Sequence, residues 1–285
     1  MINKRKGPKI GAAIMVRDMA PFIGAVIRSL DWVDGIFLYD DHSSDGTALI
    51  AKRSSKTEIF IETSKDSRSA FQRGQSRVRN SVIRMAFSKL NCDVLVLVDG
   101  DELMSEHLRT VIDFFWSRKS DFDNISLSIW HLFTETEYIH FWDTAYKNSY
   151  LIDPHIRVIK KGQRFEDILA DGNHPGIKGK ERTLFVHGSY HFHLKYFHKS
   201  PFPNYAIDFL PRRLSRRNTT LYLKKLPFIL PKNIERCLRM VRWKSLPKMN
   251  SDYYKAYKEK ICKLNPEEAI KHPRDRIRKN EIRKR

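Results

Sequence analysis

Asp99 and Asp101 stand two residues apart with Gly100 between them, directly after the apolar run Val94-Leu95-Val96-Leu97-Val98. Five successive β-branched or leucine residues read as a strand buried on both faces, as in parallel sheets. In an open α/β sheet, ligands bind at the carboxyl ends of the strands. Two carboxylates delivered there are hard oxygen ligands, suited to a metal held on a phosphate group. The plainer alternative is an acidic turn, since Asp-Gly is ordinary turn chemistry.

The pattern occurs twice. Gly35-Ile36-Phe37-Leu38-Tyr39 runs into Asp40-Asp41-His42-Ser43-Ser44-Asp45-Gly46-Thr47. Asp45 or Thr47 is placed to cap a following helix. Asp40 and Asp41 are not explained by that role. Adjacent carboxylates at a strand tip repel each other unless a ligand or cation engages them.

The elements that must position these groups follow in alternation. Strands are predicted at 9–16, 35–39, 58–62 and 94–98, and helices at 21–30, 45–54, 71–90 and 105–117. Val78, Val82, Ala86 and Leu90 form one row of the long helix. A β-α series of this kind predicts an α/β fold with a parallel sheet and helices on both faces. Beyond residue 120 more irregular strands are expected, at 124–130, 140–144, 151–160 and 183–187. Trp130, Phe133, Tyr138, Phe141, Trp142, Tyr146 and Tyr150 make this stretch aromatic. They suit either a core or a sugar-lined cleft.

The 285 residues carry a formal charge of +20 and are 41% hydrophobic. That is enough for a real core, and the charge speaks of anionic partners rather than fold. Basic residues dominate 212–285. This predicts a basic, mostly helical extension over 201–285, after a domain at 1–200 divided into a nucleotide half (8–120) and an acceptor half (121–200). The basic end suits a solvated tail or an anionic membrane surface. Cys92, Cys237 and Cys262 lack disulfide or metal-ligand spacing. Residues 1–9 lack the apolar core of a secretory signal, and no run of about 20 apolar residues occurs. A cytoplasmic location is expected, with peripheral attachment to the inner membrane face as an option.

Neither GxGxxG nor GxxxxGK[ST] is present, which excludes the usual dinucleotide and P-loop signatures. A nucleotidyltransferase is an alternative, but Val16-Arg17-Asp18-Met19-Ala20 replaces the glycine-rich loop expected after its first strand. A basic nucleic-acid-binding protein is another. Carboxylates at a strand tip repel phosphate, so no nucleic-acid partner is expected.

Taken in order, Val16-Arg17-Asp18, DDHSSDGT at 40–47, RGQSRVRNSVIRMA at 73–86 and LVLVDGDE at 95–102 resemble the family 2 type of glycosyltransferases. The resemblance covers roughly residues 8–120 and continues weakly to about 200. It implies a GT-A fold and a nucleotide-diphosphate sugar donor. It further implies that Asp40 and Asp41 contact the donor's base and ribose, with Val16, Arg17 and Asp18 lining the same pocket. Arg79, Asn80 and Gly100 would help hold the donor. Asp99 and Asp101 would hold Mn²⁺ or Mg²⁺ on the diphosphate, with a late histidine completing the site.

Tyr190-His191-Phe192-His193-Leu194-Lys195 alternates, so His191 and His193 share one strand face. They are the favoured histidine ligands, with His187 also considered. An inverting transfer needs a carboxylate to take the acceptor hydroxyl proton. The family places it in a Glu-Asp pair or beside a Gly-His segment. Asp167 and Glu166 are preferred here, with Asp171 next. His174-Pro175 departs from the His-Glu of related sequences. The acceptor is expected to be a glycan or lipid-linked molecule in cell-surface polysaccharide synthesis.

Overall fold

The computed structural model describes residues 7–54, 57–70, 72–118, 122–132, 134–142, 154–167, 175–177, 182–194 and 220–241. They form an α/β fold with a mixed sheet. The chain divides into two compact units. One draws on Met1–Ile129, Pro154–Phe192 and Leu230–Arg242, the other on Trp130–Asp153, His193–Ile229 and Trp243–Arg285.

In the first unit the chain runs β1 (Ile10–Val16), α1 (Ala20–Ser29), β2 (Gly35–Asp40), α2 (Thr47–Ser54), β3 (Ile59–Thr63), α3 (Gln75–Leu90) and β4 (Val94–Asp99). β5 (Glu102–Met104) and α4 (His107–Ser117) follow. The parallel strands lie in the order β4-β1-β2-β3. The chain therefore starts in the middle, moves outward to β3, and returns across β1 to β4. That reversal puts a topological switch point between the carboxyl ends of β1 and β4, where α/β sheets bind ligands.

Both faces of this sheet are buried. Ala13, Phe37, Leu95 and Leu97 pack with Val78, Val82, Ala86 and Leu90 of α3. The alternate set, Ile10, Ala12, Ile14, Ile36, Leu38, Val94, Val96 and Val98, is buried on the opposite side. Each Val, Leu, Ile or Phe side chain so enclosed contributes about 1.5–3 kcal/mol. α3 starts at Gln75 rather than 71 because Gly74 takes φ +89° immediately before it. It ends at Asn91 in the left-handed conformation, a common helix stop.

Asp45 caps two helices. Its Oδ1 accepts the Thr47 N–H at the start of α2, and its Oδ2 accepts the Ala20 N–H of α1. Thr47 Oγ1 accepts the Met19 N–H at 2.8 Å. The acidic loop after β2 is thus tied to the start of α1.

Antiparallel strands extend the first unit beyond β4: β8 (Pro154–Lys160) pairs with β4, and β6 (Asn124–Leu132) pairs with β8. β9 (Phe165–Asp167) and β10 (Pro175–Ile177) form a separate two-stranded ladder. β11 (Thr183–His193) pairs with β5 and β6, joining the two stretches expected at 183–187 and 190–195 into one strand.

In the second unit β7 (Glu137–Trp142) pairs antiparallel with β12 (Thr220–Lys225) and with the end of β6. Trp130 and Tyr138 are buried and meet edge-to-face at 4.8 Å, as do Trp130 and Phe228. These two residues are core rather than cleft lining. Phe133, Tyr146 and Tyr150 lie outside the described residues.

The extension expected to be mostly helical contains both β12 and α5 (Lys232–Met240) among its described residues. Thr, Leu and Tyr in Thr220–Lys225 suit a strand once β7 offers an edge. α5 buries Ile234, Cys237 and Leu238, and Asn233 Nδ2 donates to the Met104 carbonyl. It therefore belongs to the first unit. Among the described residues no helix is long and apolar enough to cross a membrane.

Candidate active site

The site is built on the carboxyl end of β4. Gly100 turns the chain there, and a Cβ at that position would lie 2.8 Å from Val16 Cγ2 and Met19 Cγ. Only glycine lets the β4 turn settle against the end of β1. Val16 is buried beneath it.

Asp99 lies between two guanidinium groups. Arg79 Nη2 donates to Oδ1 at 3.1 Å, and Arg157 Nη2 donates to Oδ2 at 3.1 Å. The Asp99 N–H donates to Glu102 Oε2 at 3.0 Å, closing the acidic turn. Glu102 Oε1 accepts from Arg157 Nη2 at 2.5 Å and lies 3.1 Å from His191 Nε2. The side chains of Arg157 and Glu102 are 7% and 3% exposed, whereas that of Asp99 is 31% exposed. Asp99 therefore faces outward from a buried ionic base.

The topology explains these meetings. β8 runs antiparallel to β4, with Val158 opposite Val96. Arg157, one residue earlier in β8, is carried toward the Asp99 end. α3 also runs back from β4, so Arg79, in its early turns, lies at the same edge.

Burial opposes the charge on Arg157, but Glu102, Asp99 and Asp101 outweigh it and raise its pKa. Burial lowers the pKa of His191 below 6.5 despite Glu102, so its imidazole is neutral at pH 7. Three carboxylates, Asp99, Asp101 and Glu102, thus act on Arg157, and Asp99 also receives Arg79.

Among the described residues no three His, Cys, Asp or Glu side chains converge as a complete metal cage. Mg²⁺ commonly uses one or two carboxylates and takes its other oxygens from water and substrate phosphates. Partly exposed Asp99 and Asp101 fit that arrangement. His191 is fully buried against Glu102. His193 belongs to the second unit, where its Nδ1 lies 2.8 Å from that of His131. His187 lies against Ser128 Oγ at 2.9 Å.

The acidic pair after β2 is also engaged from within the protein. Asp40 is buried and accepts the Ser43 N–H at 3.0 Å. Asp41 is buried, accepts the Ala70 N–H at 2.7 Å and is ion-paired with Arg73. Arg17 Nη1 lies 4.0 Å from Asp41 and donates to the Ser67 carbonyl. The repulsion expected between the two carboxylates is therefore relieved by Arg73 and Arg17. Asp18 takes φ +50° and accepts from the Ser44 N–H and hydroxyl, so it joins the β1 and β2 loops.

Asn80 bonds to the protein's own backbone. Its Nδ2 donates to the Phe165 carbonyl at 2.6 Å, and its Oδ1 accepts the Phe165 N–H at 2.7 Å. Glu166 follows on β9, partly buried, with Arg164 Nη2 at 3.8 Å. Asp167 ends β9 opposite Pro175. Asp171 and His174 lie outside the described residues.

Arg157, Glu102 and Arg73 were not singled out by residue pattern. One signal for Arg157 was available: a charged residue between Ile156 and Val158 in an otherwise apolar strand. A buried cation needs a buried anion.

The chain matches no protein-family model and no curated protein sequence. Among the solved structures that resemble part of it are these two. One is the crystal structure of a mycobacterial protein, with 16% identity and a TM-score of 0.33, covering 43% of this chain and 41% of that one. The other is M. tuberculosis glucosyl-3-phosphoglycerate synthase, with 14% identity and a TM-score of 0.33, covering 43% of this chain and 45% of that one. The matched part spans less than half the length of either structure.

Proposed function

We propose that the chain is a glycosyltransferase that moves a sugar from a nucleotide-diphosphate donor to an acceptor hydroxyl, with inversion. The observation that carries this reading is the position of Asp99. It sits at the β1/β4 switch point, flanked by Arg79 and Arg157, with Asp101 beside it. This is a charged, partly exposed rim where a diphosphate would rest.

Asp99 and Asp101 would hold Mn²⁺ or Mg²⁺, which when bound supplies positive charge to the departing diphosphate. Arg79 and Arg157 keep Asp99 turned outward. Val16, Arg17, Asp18, Asp40 and Asp41 form the neighbouring wall for the nucleoside. Asp167 or Glu166 takes the proton of the attacking hydroxyl, with Asp171 the further candidate. The anomeric C–O bond breaks with its electron pair leaving on the nucleoside diphosphate, as the acceptor oxygen bonds to that carbon.

The +20 charge supports a phosphate-bearing acceptor, such as a lipid-linked glycan, and docking on an anionic membrane face in cell-surface polysaccharide synthesis. The test is thermal unfolding with UDP, GDP or dTDP, with and without Mn²⁺, on the native chain and Asp101→Ala. Metal-dependent stabilisation by one nucleotide, lost in Asp101→Ala, is expected. No response to any nucleotide overturns the reading.

A further inference from the structure

Arg79 and Asn80 are consecutive residues of α3, yet they reach different strands. Arg79 donates to Asp99 at the end of β4. Asn80 grips β9, 85 residues along the chain, by both the N–H and the carbonyl of Phe165.

The geometry of this grip is that of a strand neighbour. In an antiparallel ladder the N–H and C=O of one residue point to the same side, and successive residues alternate. Phe165 directs both groups to Asn80, so it turns away from β10, where Ile177 is its register partner. The Asn80 amide thus closes the open edge of β9, supplying one donor and one acceptor. Phe165 is held in two further ways. Its side chain is buried in the core with Val78 and Val82, and the Arg79 guanidinium lies 5.7 Å from its ring centroid. Glu166 and Asp167 come next in the chain.

We propose that Asn80 is a positioning residue for the proton-accepting carboxylate on β9, and not a contact to the donor. Arg79 and Asn80 act as one spacer. A single turn of α3 sets Asp99 and the start of β9 at a constant separation, so the leaving-group end and the base end of the reaction move together. A base about 1 Å out of place loses rate without weakening the ligand held at Asp99. The proposal rests on the glycosyl-transfer reading.

The experiment uses the full chain with MnCl₂ and two readouts. Calorimetry measures affinity for UDP, GDP and dTDP. Nucleoside diphosphate release from the matching nucleotide-sugars, with water as the acceptor, measures kcat and KM. For Asn80→Ala, nucleotide affinity is expected to stay within about twofold while kcat falls at least tenfold. Asn80→Asp keeps the acceptor for the Phe165 N–H and loses the donor, so its kcat should lie between those of Asn80→Ala and the native chain. It provides the same comparison if Asn80→Ala does not fold. Amide hydrogen exchange at Phe165 should quicken in Asn80→Ala and much less in Asn80→Asp.

A tenfold loss of nucleotide affinity with kcat unchanged would make Asn80 a donor contact and overturn the proposal. Unchanged kcat and affinity in both variants would overturn it too. A native chain that binds none of the nucleotides instead removes the glycosyl-transfer reading itself.

Discussion

Arg157 and Glu102 meet through a 2.5 Å Nη2–Oε1 contact inside the protein, and the same nitrogen reaches Asp99. One buried cation therefore orders two carboxylates of the acidic turn. Replacing Arg157 leaves Glu102 buried without its guanidinium. Arg157→Met should cost about 3–5 kcal/mol of stability, read by urea denaturation. A loss below about 1 kcal/mol would show that water or another group replaces the guanidinium.

His191 makes stability depend on acid. Its folded-state pKa is lowered by burial, so the unfolded chain binds a proton more readily. Stability is then greatest above 6.5 and declines as pH falls through that value toward the folded pKa. His187, also lowered by burial, adds to the decline. Denaturation at a series of pH values from 5 to 8 should show a shallower slope in His191→Gln than in the native chain. Equal slopes would remove His191 from the account.

Asp41 ties the segment after β3 to the tip of β2 through Ala70 and Arg73. Among the described residues, Arg73→Ala leaves this buried carboxylate with Arg17 as its remaining ion-pair partner, 4.0 Å away. The expected cost is about 2–4 kcal/mol, with faster proteolysis between residues 64 and 73. An unchanged cleavage pattern would show that Ser64 and Ala70 hold the segment without the ion pair.

Gly100→Ala places a methyl group against Val16 Cγ2 and Met19 Cγ. The expected penalty is about 1–3 kcal/mol, with weaker binding of nucleoside diphosphate as the acidic turn shifts. Val16→Ala removes one of the two obstructing atoms. The double variant should recover part of the loss, giving a coupling above about 0.5 kcal/mol in a mutant cycle. Strict additivity would mean that Met19 alone decides the fit.

The first half of the fold was legible because its signals are local. Apolar runs such as 94–98 and the Val78, Val82, Ala86, Leu90 row state which faces are buried, and the alternation of strands and helices dictates parallel pairing. The short strands β5, β9 and β10 are not legible in the sequence, because three residues carry no readable period. β12 was masked by the basic composition around it.

At the site, the sequence by itself determined which carboxylates stand at strand ends: Asp40 and Asp41 at the end of β2, Asp99 and Asp101 at the end of β4. Their partners were decided only by tertiary structure. Arg157 reaches Asp99 across 58 residues because β8 returns antiparallel beside β4, and Asn80 reaches Phe165 across 85 because α3 packs beside β9. Residue patterns encode burial along a segment. Which buried cation meets which anion depends on strand register and helix docking, and these arise only when distant segments share one core.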